Sequence, residues 1–269
     1  MTRVGLFLVL ILVAGLPLTS QEPRFEVASV KRSAPNDSSS SGGFGPGATV
    51  RFFNVTLRNI IAAAYDLPDS NSPLGRFKLV GGPSAILSRH FDIDARAPVT
   101  DADLRQKKAM LRTLLTQRFK LRIRSEVRQV PIYVLTMARN ELGPKIKRSD
   151  MNCVTLRAEQ MRENKVPKGS SQCWADESEY VRGARPFRSA GPISHLVDRM
   201  QDQFDRPLID GTGLTGNFEW STRFRSPSSD AGAPLFMDAI QQDFGLRVEG
   251  RTGPYEVFVI DSVDMPTPN

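Results

Sequence analysis

The sequence predicts an α+β fold of two similar β-α-β-β-α-β-β lobes, with helices packed on mainly antiparallel sheets. Three observations carry that expectation. Stretches of strict apolar–polar alternation are interleaved with stretches whose apolar residues recur at i, i+3, i+4 and i+7. The same succession of patterns comes twice along the chain. The composition, 40% hydrophobic and 24% charged over 269 residues, is that of a globular protein long enough to bury a sizeable core.

Residues 1–20 read as a secretory signal: Arg3 supplies a positive charge, Val4 to Leu16 is uncharged and mostly apolar, and Thr19 and Ser20 are small residues near a cleavage point. The run is short for a membrane span, which needs roughly 20 residues. An uncleaved anchor is the competing reading. No cysteine follows the run, so lipid anchoring is not expected, and the mature form is expected to have no membrane span. Export places the chain in the periplasm or outside the cell. There the pair Cys153 and Cys173, the only two cysteines, is expected to form a disulfide.

The expected organisation is a first lobe over residues 21–139, a polar connector over 140–182 and a second lobe over 183–269. In the first lobe, Arg24 to Lys31 alternates as a strand. Ser33 to Gly47 is rich in Ser, Gly and Pro and reads as a loop; its glycines lack the Lys-Ser/Thr of a phosphate loop. A short strand over Arg51 to Val55 leads into a helix capped by Thr56, with Leu57, Ile60, Ile61, Ala64 and Tyr65 on one face. Phe77 to Val80 and His90 to Ala95 read as strands. A second helix starts at Asp101 or Asp103 and buries Leu111, Leu114, Leu115 and Phe119. Strands Lys120 to Arg124 and Ile132 to Met137 then read as a hairpin. In the second lobe Phe187 closes a short strand, and Pro192 opens a helix with Ile193, Leu196, Val197 and Met200 on its face. Pro207 to Asp210 and Asn217 to Phe224 are strands, Phe236 to Phe244 is a helix, and Leu246 to Glu249 and Tyr255 to Val263 close the fold. Phe119 and Tyr133 are spaced as Phe244 and Phe258 are, and Leu121 and Leu135 as Leu246 and Ile260 are. These matched offsets carry the internal repeat.

The stretches Phe25 to Lys31, Val55 to Tyr65, Phe91 to Ala95, Leu114 to Leu121, Gly143 to Lys145, Pro207 to Gly216 and the ending Ile260 to Asn269 resemble a soil-associated acidobacterial paralogous family carrying a domain of unknown function. The resemblance covers nearly all of the mature chain. It implies an exported protein with no established activity. Some relatives are fused to an integral-membrane zinc peptidase of the beta-lactam-sensor type, which implies sensing; these residues contain no peptidase part. The family position before Thr212 is often Lys or another polar residue, and here it is Gly211.

Gly211, Gly213 and Gly216 spell G-x-G-x-x-G after Asp210. A dinucleotide turn needs a helix after the glycines, but Asn217 to Phe224 alternates as a strand. The stretch is therefore read as a structural turn, and no cofactor is expected. The two histidines, His90 and His195, pair on paper with Ser88 or Ser194, but no G-x-S-x-G is present. No catalytic residue is assigned and no metal site is expected; Asp92 and Asp94 share a strand face that is read as solvated. Arg118, Lys120, Arg122 and Arg124 recur at period two as a basic stripe opposite Phe119, Leu121 and Ile123, with Arg128 and Arg139 extending it. Together with the formal charge of +7, the stripe suggests attraction to an anionic envelope component, and a merely solvated face of a half-buried sheet is the competing reading. Nucleic acid is not expected, because no stacking aromatics interleave the stripe. The sequence therefore favours a non-catalytic exported binding module whose partner is a protein or an anionic envelope component. The alternatives are an envelope enzyme using His90 or His195, and a sensor accessory to a membrane peptidase.

Overall fold

The structure is a computed structural model that describes residues 22–34, 39–163, 173, 183–225 and 232–266. The expected signal segment lies outside them. Among the described residues no helix is long and apolar enough to cross a membrane. Helices and mostly antiparallel sheets make up the chain, which is the expected α+β class.

The first half opens with β1 (Val27–Arg32), β2 (Ser41–Phe44) and β3 (Thr49–Thr56). β2 lies in the stretch expected to be loop. Its glycines reach positive φ, 127° at Gly42 and 148° at Gly43, while still pairing with β3. Thr56 caps α1 (Leu57–Ala64) by accepting from the Asn59 amide, and Leu57, Ile60, Ile61 and Ala64 are its buried face. Phe77 was expected in a strand, but Ser72 accepts from the Gly75 amide and Pro73 starts α2 (Pro73–Lys78), so only β4 (Leu79–Gly81) is extended. α3 (Ser84–Leu87) leads to β5 (His90–Arg96), whose alternation is regular. α4 (Leu104–Phe119) starts at Asp103, where Asp103 and Gln106 form a reciprocal capping box. β1, β2, β3 and β5 form one antiparallel sheet in the order β1-β5-β3-β2.

The strand after α4 departs from expectation. β6 is one continuous strand, Arg122–Met137, and not a hairpin. The closing strands of the chain are likewise one, running Leu246–Ser262. The two pair antiparallel along their length, from Arg122 against Ser262 to Met137 against Leu246, a ribbon about 50 Å long at ~3.3 Å per residue. The apolar alternation lapses at Ser125 to Pro131 because the middle of the ribbon lies outside both cores; Val127 there is 68% exposed. Backbone pairing persists without buried side chains, and that is why the sequence suggests two strands where there is one.

The second half adds β7 (Ile146–Arg148), α5 (Cys153–Glu163), β8 (Ala184–Pro192), α6 (Ile193–Met200), β9 (Leu208–Asp210), β10 (Asn217–Arg225), α7 (Phe236–Phe244) and β11 (Leu246–Ser262). β7 belongs to the residues expected to be connector, yet it pairs with β10 in the sheet β7-β10-β8. The chain before it closes the end of α7: the Gly143 amide donates to Phe244 O and the Lys145 amide to Asp243 O, each at 2.9 Å. A Cβ on Gly143 would stand 2.3 Å from Asp243 O, so glycine is required there.

Each half has its own core, and each core borrows from the other half. The first gathers Leu57, Ile61, Phe91, Leu115 and Phe119, with Ile260 from the far end of β11. The second gathers Leu196, Phe218, Trp220, Ile240 and Phe244, with Leu135 from the far end of β6. β4 pairs parallel with β11 at Phe258, and β9 pairs parallel with β6 at Tyr133. The ribbon thus delivers one strand end into each core.

Candidate functional site

A cleft of about 500 Å³ opens where the end of β1, the bulge in β3 and the α3–β5 junction meet. The bulge falls where the β3–β5 register shifts between Phe52 and Val55, and it puts Asn54 in the left-handed region at φ 51°. Bulges of this kind re-aim the chain beside sites. The Asp92 carboxylate fixes the arrangement: its Oδ1 accepts from Ser33 Oγ at 2.7 Å and from the Asn54 amide at 2.8 Å. The Ser33 amide donates to His90 O and the Leu57 amide to Arg89 O, holding both walls. Among the described residues the lining comprises Arg32, Ser33, Asn54, Ser88, Arg89 and His90 with two alanines, and no carboxylate. Arg89 Nε donates to Ala85 O and Ser88 Oγ to Ser84 O. Ser88 is therefore not paired to His90 as a nucleophile would be. Two guanidinium groups and an imidazole facing one open cleft suit an oxyanion. Asp92, read as half of a solvated carboxylate pair, is instead an internal brace, and Asp94 pairs with Arg51 Nε at 3.3 Å. Among the described residues no cluster of His, Cys, Asp or Glu has the makings of a metal site.

His195 lies elsewhere, on α6. Its Nε2 is 2.9 Å from Ser189 Oγ, and its ring meets Trp220 at 5.7 Å between centroids. Burial, then Arg199 and Arg157, hold the imidazole below its ordinary pKa, against the opposing pull of Asp198. The partner is Ser189, not the exposed Ser194 of the sequence reading. Ser189 is 1% exposed, which closes it to a substrate. Sequence reasoning missed it because the strand holding it was recognised only near Phe187. Beside this pair stands the Cys153–Cys173 disulfide: Cys153 Sγ accepts from the Ala190 amide at 3.1 Å, and Arg157 donates to Cys173 O at 2.9 Å.

The basic stripe is divided. Arg118 lies in the last turn of α4, Lys120 is its left-handed cap at φ 51°, and only Arg122 and Arg124 belong to β6. A period-two stripe of these four requires residues 118–124 to be extended throughout, and the helix reaches to Phe119. Arg124 is bonded to Glu126, which also takes Arg128, and to Asp261 at 3.1 Å. Those hydrogen bonds hold the Glu126 carboxyl below its usual range and Arg124 above its own. The charges of Arg124 and Arg128 are thus met by carboxylates within the protein. Arg139, expected to extend the stripe, donates to Gln242 O at the end of α7.

A protein-family model described as "Protein of unknown function (DUF3738)" matches residues 58–263. The chain belongs to this family. No curated protein and no solved structure matches it. The DUF3738 match takes in the second core, most of the first, the ribbon, and Ser88, Arg89 and His90 of the cleft, whereas Arg32, Ser33, Asn54 and the first-core residues Val30, Val50, Phe52 and Leu57 precede it. Within the DUF3738 region, the turn at Asp210, Gly211, Gly213 and Gly216 joins β9 to β10, with no helix after the glycines. Asp210 Oδ1 accepts from the Thr212 amide and hydroxyl. Gly213 and Gly216 have φ of 70° and 89°. Gly211 does not; a Cβ there would stand 2.5 Å from Val134 Cγ1, so close approach to β6 is what requires glycine.

Proposed function

We propose that this DUF3738 protein is an exported, non-catalytic binding module of the cell envelope, and that the cleft between Arg32, Arg89 and His90 receives an anionic group of an envelope component. The observation that carries this reading is the lining: two guanidinium groups and an imidazole around about 500 Å³, with no carboxylate among the described lining residues. Clefts of about 300–1,000 Å³ are the size that holds small ligands or the ends of larger ones. The Cys153–Cys173 bond favours an oxidising compartment. The four-residue basic stripe is a weaker candidate surface, because Arg124 already carries acidic partners. An enzyme using His195 is disfavoured by the burial of Ser189. The reading of the two halves as copies of one unit is supported by the like sheet orders β1-β5-β3 and β7-β10-β8.

The test is direct binding of residues 21–269 to polygalacturonate and to polyphosphate, measured by calorimetry at low and moderate salt. Arg32→Ala combined with Arg89→Ala should lower affinity for whichever polymer binds by at least about tenfold, and added salt should weaken the wild type, since exposed charges are screened beyond ~8–10 Å. Equal binding by the wild type and the double variant, at an unchanged melting temperature, refutes the cleft as the ligand surface.

A further inference from the structure

A second concavity, chemically unlike the first, lies in the other half. About 500 Å³ of open space is bounded by the start of β8, the turn after α6, the end of β10 and the start of α7. Its wall is aromatic. Phe224 and Phe236 stack edge-to-face with centroids 4.7 Å apart, and Phe204 meets Phe236 at 6.2 Å. Leu235 and Met237 complete the wall while remaining 36% and 42% exposed. Two large apolar side chains left open beside buried phenyl rings make a continuous apolar surface, the kind that marks a ligand site. The rings already hold one another, so a ligand meets a prepared wall and orders little on entering.

Among the described residues the rim carries Arg185, Arg225 and the carboxylate of Asp238. The Arg185 guanidinium has no hydrogen bond or ion pair among the described residues, and a guanidinium offers a fork of donors that matches a carboxylate. We infer that this pocket binds a small amphiphile: an acyl or aryl body against Phe204, Phe224 and Phe236, with one anionic headgroup at Arg185. The site is separate from the cationic cleft and goes beyond the reading given to that cleft. It differs in what it requires, since an apolar body is essential here and irrelevant there.

The test uses the oxidised chain, residues 21–269, with decanoate as probe and decanol as its neutral counterpart, by titration calorimetry. The wild type should bind decanoate with a dissociation constant below about 1 mM and bind decanol at least about tenfold more weakly. Arg185→Gln should remove that preference and leave decanol binding unchanged. Met237→Glu, at an exposed position of the wall, should lower decanoate affinity at least about tenfold while the melting temperature holds. Arg32→Ala with Arg89→Ala should leave decanoate binding as in the wild type. The inference is overturned if the wild type binds no decanoate, if decanol binds as tightly, or if Arg185→Gln and Met237→Glu both bind as the wild type does. Binding to anionic vesicles that decanoate does not compete away overturns it as well, because the site would then read a membrane surface.

Discussion

Ile260→Ala tests how the two cores are assembled. Ile260 belongs by sequence to the second half, yet it is 2% exposed within the first core and pairs with Gly81 of β4. Gly82 approaches it so closely that a Cβ there would stand 2.8 Å from Ile260 Cγ2, which leaves little room for the surroundings to collapse into a cavity. Ile→Ala at such a site costs about 3 kcal/mol, within the ~2–5 kcal/mol range for buried aliphatics. At roughly 2–4 °C per kcal/mol for a domain of this size, the melting temperature should fall by about 6–12 °C. Where exchange proceeds through opening of the first core, about 3 kcal/mol corresponds to roughly a hundredfold loss of amide protection. Hydrogen exchange by mass spectrometry should place that loss in α1 and β5, far away in sequence. Leu135→Ala, the mirror change, should deprotect α6 and β10. If Ile260→Ala leaves α1 and β5 protected and loosens only residues 183–266, the exchange of strand ends between the halves is not what holds the first core.

Acid should destabilise the fold through His195. Its folded pKa is depressed, so below the unfolded value of about 6.5 the unfolded chain takes up a proton that the fold refuses, and stability falls until the pH passes the folded pKa. Melting temperatures between pH 7.5 and 5.5 should decline in the wild type and flatten in His195→Gln; equal slopes refute this. Replacing Cys153 and Cys173 together by Ser should cost about 3 kcal/mol in the chain-entropy model for a separation of 20 residues, read as a lower melting temperature under non-reducing conditions; no change refutes it. Lys120→Gly should stabilise by about 1 kcal/mol, because Lys120 ends α4 at φ 51° where α7 ends on Gly245 at φ 70°; chemical denaturation measures it, and a loss of stability refutes the strain.

Local signals that act over three or four residues were legible. The Thr56 and Asp103 caps, the α1 face and the alternation of His90 to Ala95 and Asn217 to Phe224 each lie where the side-chain chemistry put them. What escaped depends on partners distant in sequence. The middle of β6 has no buried face to report, and its extension comes from backbone bonds to β11. α2 turned on the Ser72–Pro73 start rather than on the apolar Phe77 to Val80. The basic stripe is not one strand face, because a helix reaching to Phe119 places Arg118 and Lys120 outside the strand. The cleft joins Arg32, Asn54 and His90 from three separate strands through a bulge, and its brace, Asp92, appeared in the sequence only as half of a carboxylate pair. Ser189 had no signal at all beyond its neighbourhood to Phe187.

The ribbon also bears on how ligands act. The cationic cleft is built from first-half elements and the aromatic pocket from second-half elements. Opening the first core must release the Ile260 end of β11, and opening the second must release the Leu135 end of β6. These two strands are bonded to each other along most of their length, so neither half can open far without weakening the support of the other. A ligand that favours the folded form of one half therefore stabilises both. A site filled at a hundred times its dissociation constant adds about 2.7 kcal/mol, which corresponds to a melting shift of roughly 5–10 °C. Saturating both sites should raise one transition in additive steps and should not split it in two. If both proposed sites bind, that coupling gives the two halves a single stability through which either ligand would be felt.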